Sequence, residues 1–221
     1  GDPARPVSFA VPTGNFGDVF AGYIAKRMGL PVERLLIATN RNDILARFVH
    51  TGVYAAGAVY QTLSPAMDIQ IASNFERYLY YLHDQDPAPV RALLQGMQQT
   101  GRLAVDGERL ARVQADFEAH AVSDGETLGQ IRETFAATGY ILCPHTAVGV
   151  CAARGHPGLI CLATAHPAKF AEAVREAIGR EAPPPPPPPG LLDKEGPCAQ
   201  REASTEAVED HIRQTLACAG H

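Results

Sequence analysis

A glycine-rich turn between a strand and a helix constrains the fold of this chain more than any other feature. The apolar run Val7–Val11 predicts a buried strand. The turn Gly14–Gly17 (GNFG) follows closely, and apolar residues then recur at helical spacing as far as Met28. A second, largely apolar run, Arg34–Thr39, completes a strand–turn–helix–strand unit. This unit predicts parallel strands that are covered by helices.

The alternation of strands and helices continues along the chain, which predicts one α/β domain over residues 1–178. Two further strands are expected at Tyr140–Pro144 and Leu159–Thr164, each followed by a helix. A helical insert is expected at about residues 87–138, with one of its helices over residues 107–120. The predicted fold class is therefore α/β, with an open, mostly parallel sheet and helices on both faces.

Two Ser-x-x-Glu sequences predict where helices begin. Ser73 and Ser123 each stand three positions before a glutamate. In such a capping box the serine and the glutamate satisfy backbone N–H groups at a helix start. Both serines are therefore expected at helix N-termini.

The tail, residues 179–221, is expected to lie outside the α/β domain. It contains seven consecutive prolines, Pro183–Pro189. Such a run takes the polyproline II form and cannot join a core helix or the centre of a sheet. We interpret it as a linker before a short helix at about Thr205–Cys218, and a ligand for an SH3-like groove is the less favoured alternative.

Composition and charge argue against several function classes. The net charge of -5 and the lack of a dense basic stretch argue against nucleic-acid binding, and no apolar run approaches the length of a membrane span. The five cysteines are scattered without a CxxC pair, which indicates a reducing cytoplasm, and Cys143, Cys151 and Cys161 are expected to be core residues. Neither the cysteines nor the eight histidines have metal-binding spacing, so no metal site is predicted.

The glycine turn is itself a candidate anion site. A helix N-terminus carries unpaired N–H groups and a partial positive charge, and glycines let the backbone approach an anion closely. The GNFG spacing matches neither the dinucleotide fingerprint nor the nucleoside triphosphate loop, so an ordinary strand–helix turn stays open as the alternative. Asp18, in the first helical turn, is expected to point away from an anion.

Polar residues at other predicted strand ends extend this candidate site. In open parallel sheets, ligands bind outside the carboxyl ends of the strands, so Thr13 and Thr164 are expected to face one cleft. Asn42 and His145 follow further predicted strands. Asn74 shares a helix face with Arg77, whose guanidinium can bind an anion. Helix capping, core packing or a solvated charge is the alternative for each of them.

Five stretches, in their order along the chain, resemble threonine synthase, a family that depends on pyridoxal phosphate. They are PTGNFGDVFAGYIAKRMGLP, ATNRNDILARFVHTG, TLSPAMDIQIASNFERYL, GYILCPHTAVGV and LATAHPAKF. Together they cover most of residues 7–178, whereas the proline run and the final residues carry little of the resemblance. The resemblance implies the tryptophan-synthase-β-like fold of pyridoxal phosphate enzymes, incomplete at its N-terminus.

The resemblance also implies an activity, a carbon–oxygen lyase reaction on a phosphate ester. The family converts O-phospho-L-homoserine and water into L-threonine and phosphate. The cofactor-binding residues that the resemblance and the turn together indicate are Thr13, Gly14, Asn15, Phe16, Gly17 and Thr164, with Thr164 at the pyridine nitrogen. The candidates for substrate binding are Asn74, Arg77, Asn42 and His145.

The family also needs a lysine that holds the cofactor as a Schiff base, in an FKD-like motif upstream of the glycine turn. This chain has three lysines, Lys26, Lys169 and Lys194, and none of them stands in such a motif. The resemblance therefore implies that the Schiff-base lysine is absent, and we expect the isolated chain to be inactive. The alternatives are a non-catalytic phosphate-binding module and a lyase similar to threonine or serine dehydratase. The sequence leaves open whether the protein is a monomer or a homodimer.

Overall fold

The computed structural model describes residues 6–190 and 200–218. The chain divides into two compact units, Gly1–Pro184 and Pro185–His221, and the division falls within the proline run. The first unit contains the sheet and the predicted site, and the second contains the helix α9, Thr205–Cys218. Lys194 lies outside the described residues.

The centre of the first unit is a parallel sheet with the strand order β5-β2-β1-β6. The strands are β1 Val7–Pro12, β2 Val32–Thr39, β5 Glu118–Ala121 and β6 Leu159–Cys161. A separate antiparallel pair consists of β3 Val53–Ala55 and β4 Arg102–Ala104. The parallel sheet confirms the α/β fold expected from the sequence.

Eight helices are described in the first unit besides two short 3-10 turns, Pro65–Met67 and Pro167–Phe170. They are α1 Gly17–Arg27, α2 Ile44–Thr51, α3 Phe75–Leu82, α4 Pro87–Thr100, α5 Gly107–Asp116, α6 Asp124–Thr138, α7 Pro144–Ala152 and α8 Ala171–Ile178. Within the described ranges, no helix combines the length and the apolar character needed to cross a membrane.

Both faces of the sheet are buried, because side chains alternate between the two faces of each strand. On β2, Leu35 and Ile37 join an aromatic-rich core that includes side chains from α1, α2 and α3. Leu36 and Ala38 point to the other face, where they pack with small side chains of α7 such as Val148. Helices therefore cover both faces, as the near-continuous apolar sequence of β2 requires.

Two expectations from the sequence were wrong in the segments around α5 and α7. The helix expected over residues 107–120 ends at Asp116, and Glu118–Ala121 forms β5 beside β2. The insert at residues 87–138 is therefore not purely helical. The strand expected at Tyr140–Pro144 does not form, since Cys143 is already the N-cap of α7 and Pro144 its first residue.

The two predicted capping boxes have different outcomes. Ser123 and Glu126 form the complete box at the start of α6, as expected. Ser73 does not cap a helix, because α3 begins at Phe75 with Asn74 as its N-cap. The Ser73 hydroxyl donates instead to Asn15 in the glycine turn, at 2.9 Å.

Candidate functional site

The turn after β1 presents a row of backbone donors. The N–H groups from Gly14 to Asp18 donate no hydrogen bond within the part of the chain that the structure describes. They lie at the N-terminus of α1, where the helix dipole adds a partial positive charge. Such a row of free donors suits an anion.

Phe16 contributes to this turn through its backbone, while its side chain belongs to the core. The ring is 1% exposed and lies edge-on to Phe75 and Phe117, with centroid distances of 5.4 and 5.5 Å. The backbone of Phe16 is left-handed, with φ 68°, a conformation that costs a non-glycine residue about 1–2 kcal/mol. The packing of the ring therefore holds the turn in its shape.

The two glycines allow a second segment to approach the turn. A Cβ atom on Gly14 would lie 2.8 Å from the Cα atom of Met67. A Cβ atom on Gly17 would lie 3.3 Å from the side-chain nitrogen of Asn74. The sequence indicated glycines that clear space for an anion, and the structure adds that they clear space for the segment from Met67 to Asn74.

Hydrogen bonds fasten the same segment to Asn15. The Asn15 Oδ1 atom accepts from the Ser73 backbone N at 2.6 Å, and Asn74 Nδ2 donates to the Asn15 carbonyl oxygen at 3.0 Å. Asn74 was expected to bind substrate, but one hydrogen of its side-chain amide is already donated to the turn. Asn15 is exposed, and its side-chain nitrogen Nδ2 donates no hydrogen bond among the described residues.

Thr13 and Asp18 bond to each other across the turn. The buried Thr13 hydroxyl donates to Asp18 Oδ1, and the Val19 backbone N donates to the same oxygen at 2.8 Å. The sequence led us to expect that Asp18 simply points away from the turn. Its carboxylate instead folds back on Thr13. Its acceptor is occupied by these donors, which reduces its repulsion of an anion.

Asn42 lies in a buried network at the end of β2. Its Nδ2 atom donates to the Tyr60 carbonyl oxygen at 2.8 Å and to Asp68 Oδ1 at 2.9 Å, and its Oδ1 atom accepts from Tyr60 N at 2.9 Å. Asn40 donates to Asp68 Oδ1 as well, at 2.8 Å. Because the amide of Asn42 is saturated, its expected contact with substrate finds no support in this geometry. The network instead fixes the Pro65–Met67 turn beside the glycine turn.

His145 connects three of the motif segments. It is 4% exposed, its Nε2 atom accepts from the Ala66 backbone N at 3.2 Å, and its ring lies 4.6 Å from that of Phe170. Because Nε2 accepts, the neutral ring carries its proton on Nδ1. That Nδ1 atom is buried and forms no regular hydrogen bond within the described chain.

Thr164 is exposed and rests on two buried polar side chains. Its Oγ1 atom lies 3.1 Å from Thr146 Oγ1 and 3.3 Å from Cys143 Sγ. Burial raises the pKa of the Cys143 thiol, but polar interactions of the sulfur with the neighbouring His145, Thr146 and Thr164 outweigh burial and lower that pKa to about 6. The expectation of Cys143 as a plain core residue therefore missed its polar contacts.

The sheet brings Thr164 and the glycine turn to the same edge. β1 and β6 are adjacent and parallel with Ala10 opposite Cys161, and Leu162 N donates to the Ala10 carbonyl oxygen at 3.0 Å. Adjacent strands are about 4.8 Å apart, so the chain leaves β1 and β6 from neighbouring positions at this edge. The helix α7 crosses this edge closely, since a Cβ atom on Gly149 would lie 2.7 Å from both Cys161 Sγ and Pro12 Cγ.

Arg77 does not share a cavity with His145. It is exposed on α3 and lines an apolar groove of about 520 Å³ together with Phe20 and Tyr80. The ring of Phe170, which packs on His145, lines a different cavity of about 410 Å³ between the segments 62–65 and 168–173. Among the described residues, no three His, Cys, Asp or Glu side chains converge to hold a metal ion.

Comparisons with known proteins point to one family. The family model "Threonine synthase, C-terminal" matches residues 146–212. The threonine synthase of Pseudomonas aeruginosa is 45% identical over 220 residues, which are 97% of this chain and 47% of that protein. The chain therefore spans about half the length of the curated relatives it matches.

Solved structures that are similar to this chain belong to the same family. A threonine synthase from Brucella melitensis, described as bound to pyridoxal phosphate, aligns with a TM-score of 0.87 and 45% identity over 97% of this chain and 47% of its own. Yeast threonine synthase aligns with a TM-score of 0.80 and 39% identity over 98% of this chain and 48% of its own. None of these three relatives is named as a dehydratase, so that alternative is not favoured. The chain belongs to the threonine synthase family and corresponds to its C-terminal portion.

Proposed function

We propose that this chain is part of a threonine synthase that converts O-phospho-L-homoserine and water into L-threonine and phosphate with pyridoxal phosphate. The relatives named above support the reaction class. The observation that carries the proposal is the row of unpartnered N–H groups from Gly14 to Asp18, at the sheet edge that also bears Thr164. These residues fit a cofactor with a phosphate at one end and a ring nitrogen at the other.

Each part of the edge has a distinct role in this proposal. The N–H groups from Gly14 to Gly17, with the exposed amide of Asn15, bind the cofactor phosphate. The Thr164 hydroxyl faces the ring nitrogen, where a neutral hydroxyl donates without forcing the nitrogen to keep a proton, as a carboxylate would. When bound, the cofactor supplies an electron sink for charge that develops on the substrate. The protein supplies position and exclusion of water.

For the substrate phosphate we propose Arg77, and for another part of the substrate we propose His145, which does not share a cavity with Arg77. Arg77 forms no ion pair among the described residues, so its guanidinium is available to an anion. Asn74 and Asn42 act indirectly, because their amides already hold the glycine turn and the network at the end of β2. An increase in KM of the complete enzyme for phosphohomoserine in Arg77→Ala would support the first assignment, and unchanged kinetics would remove it.

We further propose that the lysine that attaches the cofactor lies outside these 221 residues, and that the protein acts in the cytoplasm. Lys26 and Lys169 lie on helical surfaces away from any FKD-like motif. Borohydride reduction of a mixture of the chain and pyridoxal phosphate, followed by mass spectrometry, should leave every lysine without stoichiometric modification. Stoichiometric labelling of one lysine would contradict this assignment.

The phosphate site is tested by two probes that differ only in the phosphate. Calorimetric titration of the chain should detect pyridoxamine 5′-phosphate but not pyridoxamine, and inorganic phosphate should compete. Gly14→Ala, which displaces Met67, should weaken binding of the phosphorylated probe more than tenfold. Gly129→Ala on α6, where a Cβ atom meets nothing within 4 Å, is the matched control and should leave it unchanged. Equal affinity for both probes would contradict the proposed function.

A further inference from the structure

Three polar side chains form a closed triangle at the end of β6. Cys143 Sγ lies 3.3 Å from Thr164 Oγ1 and 3.1 Å from Thr146 Oγ1, and the two hydroxyl oxygens are 3.1 Å apart. Cys143 and Thr146 are buried, whereas Thr164 is exposed. The triangle therefore has one vertex at the surface and two beneath it.

Backbone groups fix this triangle in place. The Thr146 backbone N donates to Cys143 Sγ at 3.4 Å, so the sulfur atom caps the start of α7. The Thr164 backbone N donates to Thr146 Oγ1 at 3.1 Å. Cys143 is thereby tied to Thr146, and Thr146 is tied to the backbone of Thr164.

A count of hydrogen-bonding positions shows what the triangle leaves free. A threonine hydroxyl has one hydrogen and two lone pairs. The contacts of Thr164 Oγ1 with Cys143 and Thr146 occupy two of these three positions. When the Cys143 thiol and the Thr146 hydroxyl both donate to Thr164 Oγ1, the position that remains is the Thr164 hydrogen, on the exposed side, and the hydroxyl no longer rotates freely. This arrangement requires the protonated thiol, which is the form of Cys143 below its pKa of about 6. Orientation before binding lowers the entropic cost of recognising a ligand atom.

We propose that Cys143 is a positioning residue, which together with Thr146 aims the free position of the Thr164 hydroxyl at an aromatic ring nitrogen of the ligand. This inference rests on the proposed function, since the ring nitrogen is that of the cofactor. Cys143 itself touches no ligand and acts only through Thr164. Its effect should therefore fall on recognition of the ring nitrogen and not on recognition of the phosphate.

The test compares two probes that share the phosphate. One is pyridoxamine 5′-phosphate, and the other is its 1-deaza analogue, in which a C–H group replaces the ring nitrogen. Calorimetry on the 221-residue chain, at a pH below the Cys143 pKa of about 6 so that the thiol is protonated, gives the ratio of their dissociation constants. The wild-type chain should prefer the first probe about fivefold to tenfold, because a neutral hydrogen bond contributes on the order of 1 kcal/mol.

Variants then assign the preference to the triangle. Cys143→Ala should reduce the ratio to about twofold or less, and Cys143→Ser should keep most of it because serine retains a donor and an acceptor. Cys151→Ser, at another buried cysteine of α7 that forms no contact with Thr164, is the matched control and should leave the ratio unchanged. Urea unfolding checks that Cys143→Ala is folded. If it is not, Cys143→Val replaces it, since valine fills the space of the cysteine side chain without a polar atom.

Each adverse result overturns the inference in a recognisable way. A wild-type ratio near one would overturn it and leave the phosphate site standing. An unchanged ratio in Cys143→Ala, or equal weakening of both probes, would also overturn it, the latter by indicating a merely structural role. A wild-type chain that binds neither probe would overturn the proposed function and this inference with it.

Discussion

The ends of two adjacent strands, β1 and β6, carry different kinds of polar group. After β1, the glycine turn and Asp18 present backbone N–H groups, whose positions depend on the backbone conformation of the turn. After β6, Thr164 presents one side-chain hydroxyl, whose direction depends on the buried Cys143 and Thr146. The first end is therefore built by packing and the second by side-chain chemistry.

This difference separates the expected effects of mutation. A change that disturbs the packing of the β1 turn should lower stability and anion affinity together. A change in the triangle at the end of β6 should alter selectivity while costing less stability. Four predictions, in decreasing order of expected effect, test this contrast.

Phe16→Ala should cause the largest loss. The ring is 1% exposed and contacts several aromatic rings, so its removal should lower the free energy of unfolding by about 3–5 kcal/mol. Urea unfolding followed by circular dichroism measures this. Phe20→Ala, at a neighbouring but only partly buried ring, is the control and should cost clearly less. A loss of less than about 1 kcal/mol in Phe16→Ala would contradict the role of packing at this turn.

Gly14→Ala should come next, with a loss of about 1–3 kcal/mol, because the added methyl group forces the Met67 backbone away. Gly129→Ala, inside α6 with open space around it, should instead stabilise the chain by about 0.5–1 kcal/mol. Thermal or urea unfolding of both variants gives the comparison. Equal stabilities would mean that the segment yields to the methyl group without cost.

The Cys143 thiol should make stability depend on pH. Its folded pKa of about 6 is below the value of about 8.5 for an unfolded thiol, so the folded state releases this proton first. The stabilisation is therefore complete above pH of about 8.5 and is lost as pH falls through about 6. The free energy of unfolding of the wild type, minus that of Cys143→Ser, should rise by up to about 3 kcal/mol between these values, since one pKa unit corresponds to about 1.4 kcal/mol. Parallel pH profiles would contradict the perturbed pKa.

Thr164→Val should have the smallest effect on stability, within about 1 kcal/mol, because the side chain is exposed and keeps its shape. The same change should abolish the preference for a probe with a ring nitrogen over its deaza analogue. Thr164→Ser should retain part of that preference. A large loss of stability in Thr164→Val would erase the contrast between the two strand ends.

The sequence was sufficient for the parts of the fold with strong local patterns. β1, α1 and β2 have continuous apolar runs or helical periodicity, and each formed within a few residues of its expected position. The sequence was insufficient for β5, because Glu118–Ala121 has no run of apolar residues and is held by backbone pairing with β2. The capping box at Ser73 failed for a related reason, since a long-range bond to Asn15 replaced the local one.

For the candidate site as well, some residues could be identified from the sequence and others could not. The glycine turn and Thr164 could be identified because both follow recognisable strands. The role of Cys143 could not, because its contact with Thr164 joins residues far apart in the sequence. Asn42 appeared free to bind a ligand for the same reason, as its partners Tyr60 and Asp68 belong to a loop without periodic pattern.

Backbone amide NMR on the isotope-labelled chain tests the joint site most directly. Titration with pyridoxamine 5′-phosphate should shift the amide signals of Gly14–Asp18 and of Thr164 with one common dissociation constant. Pyridoxamine without the phosphate should leave the signals of the turn in place. Shifts confined to other regions, such as the groove beside Arg77, or two unrelated dissociation constants, would contradict the assignment of both strand ends to one cofactor site.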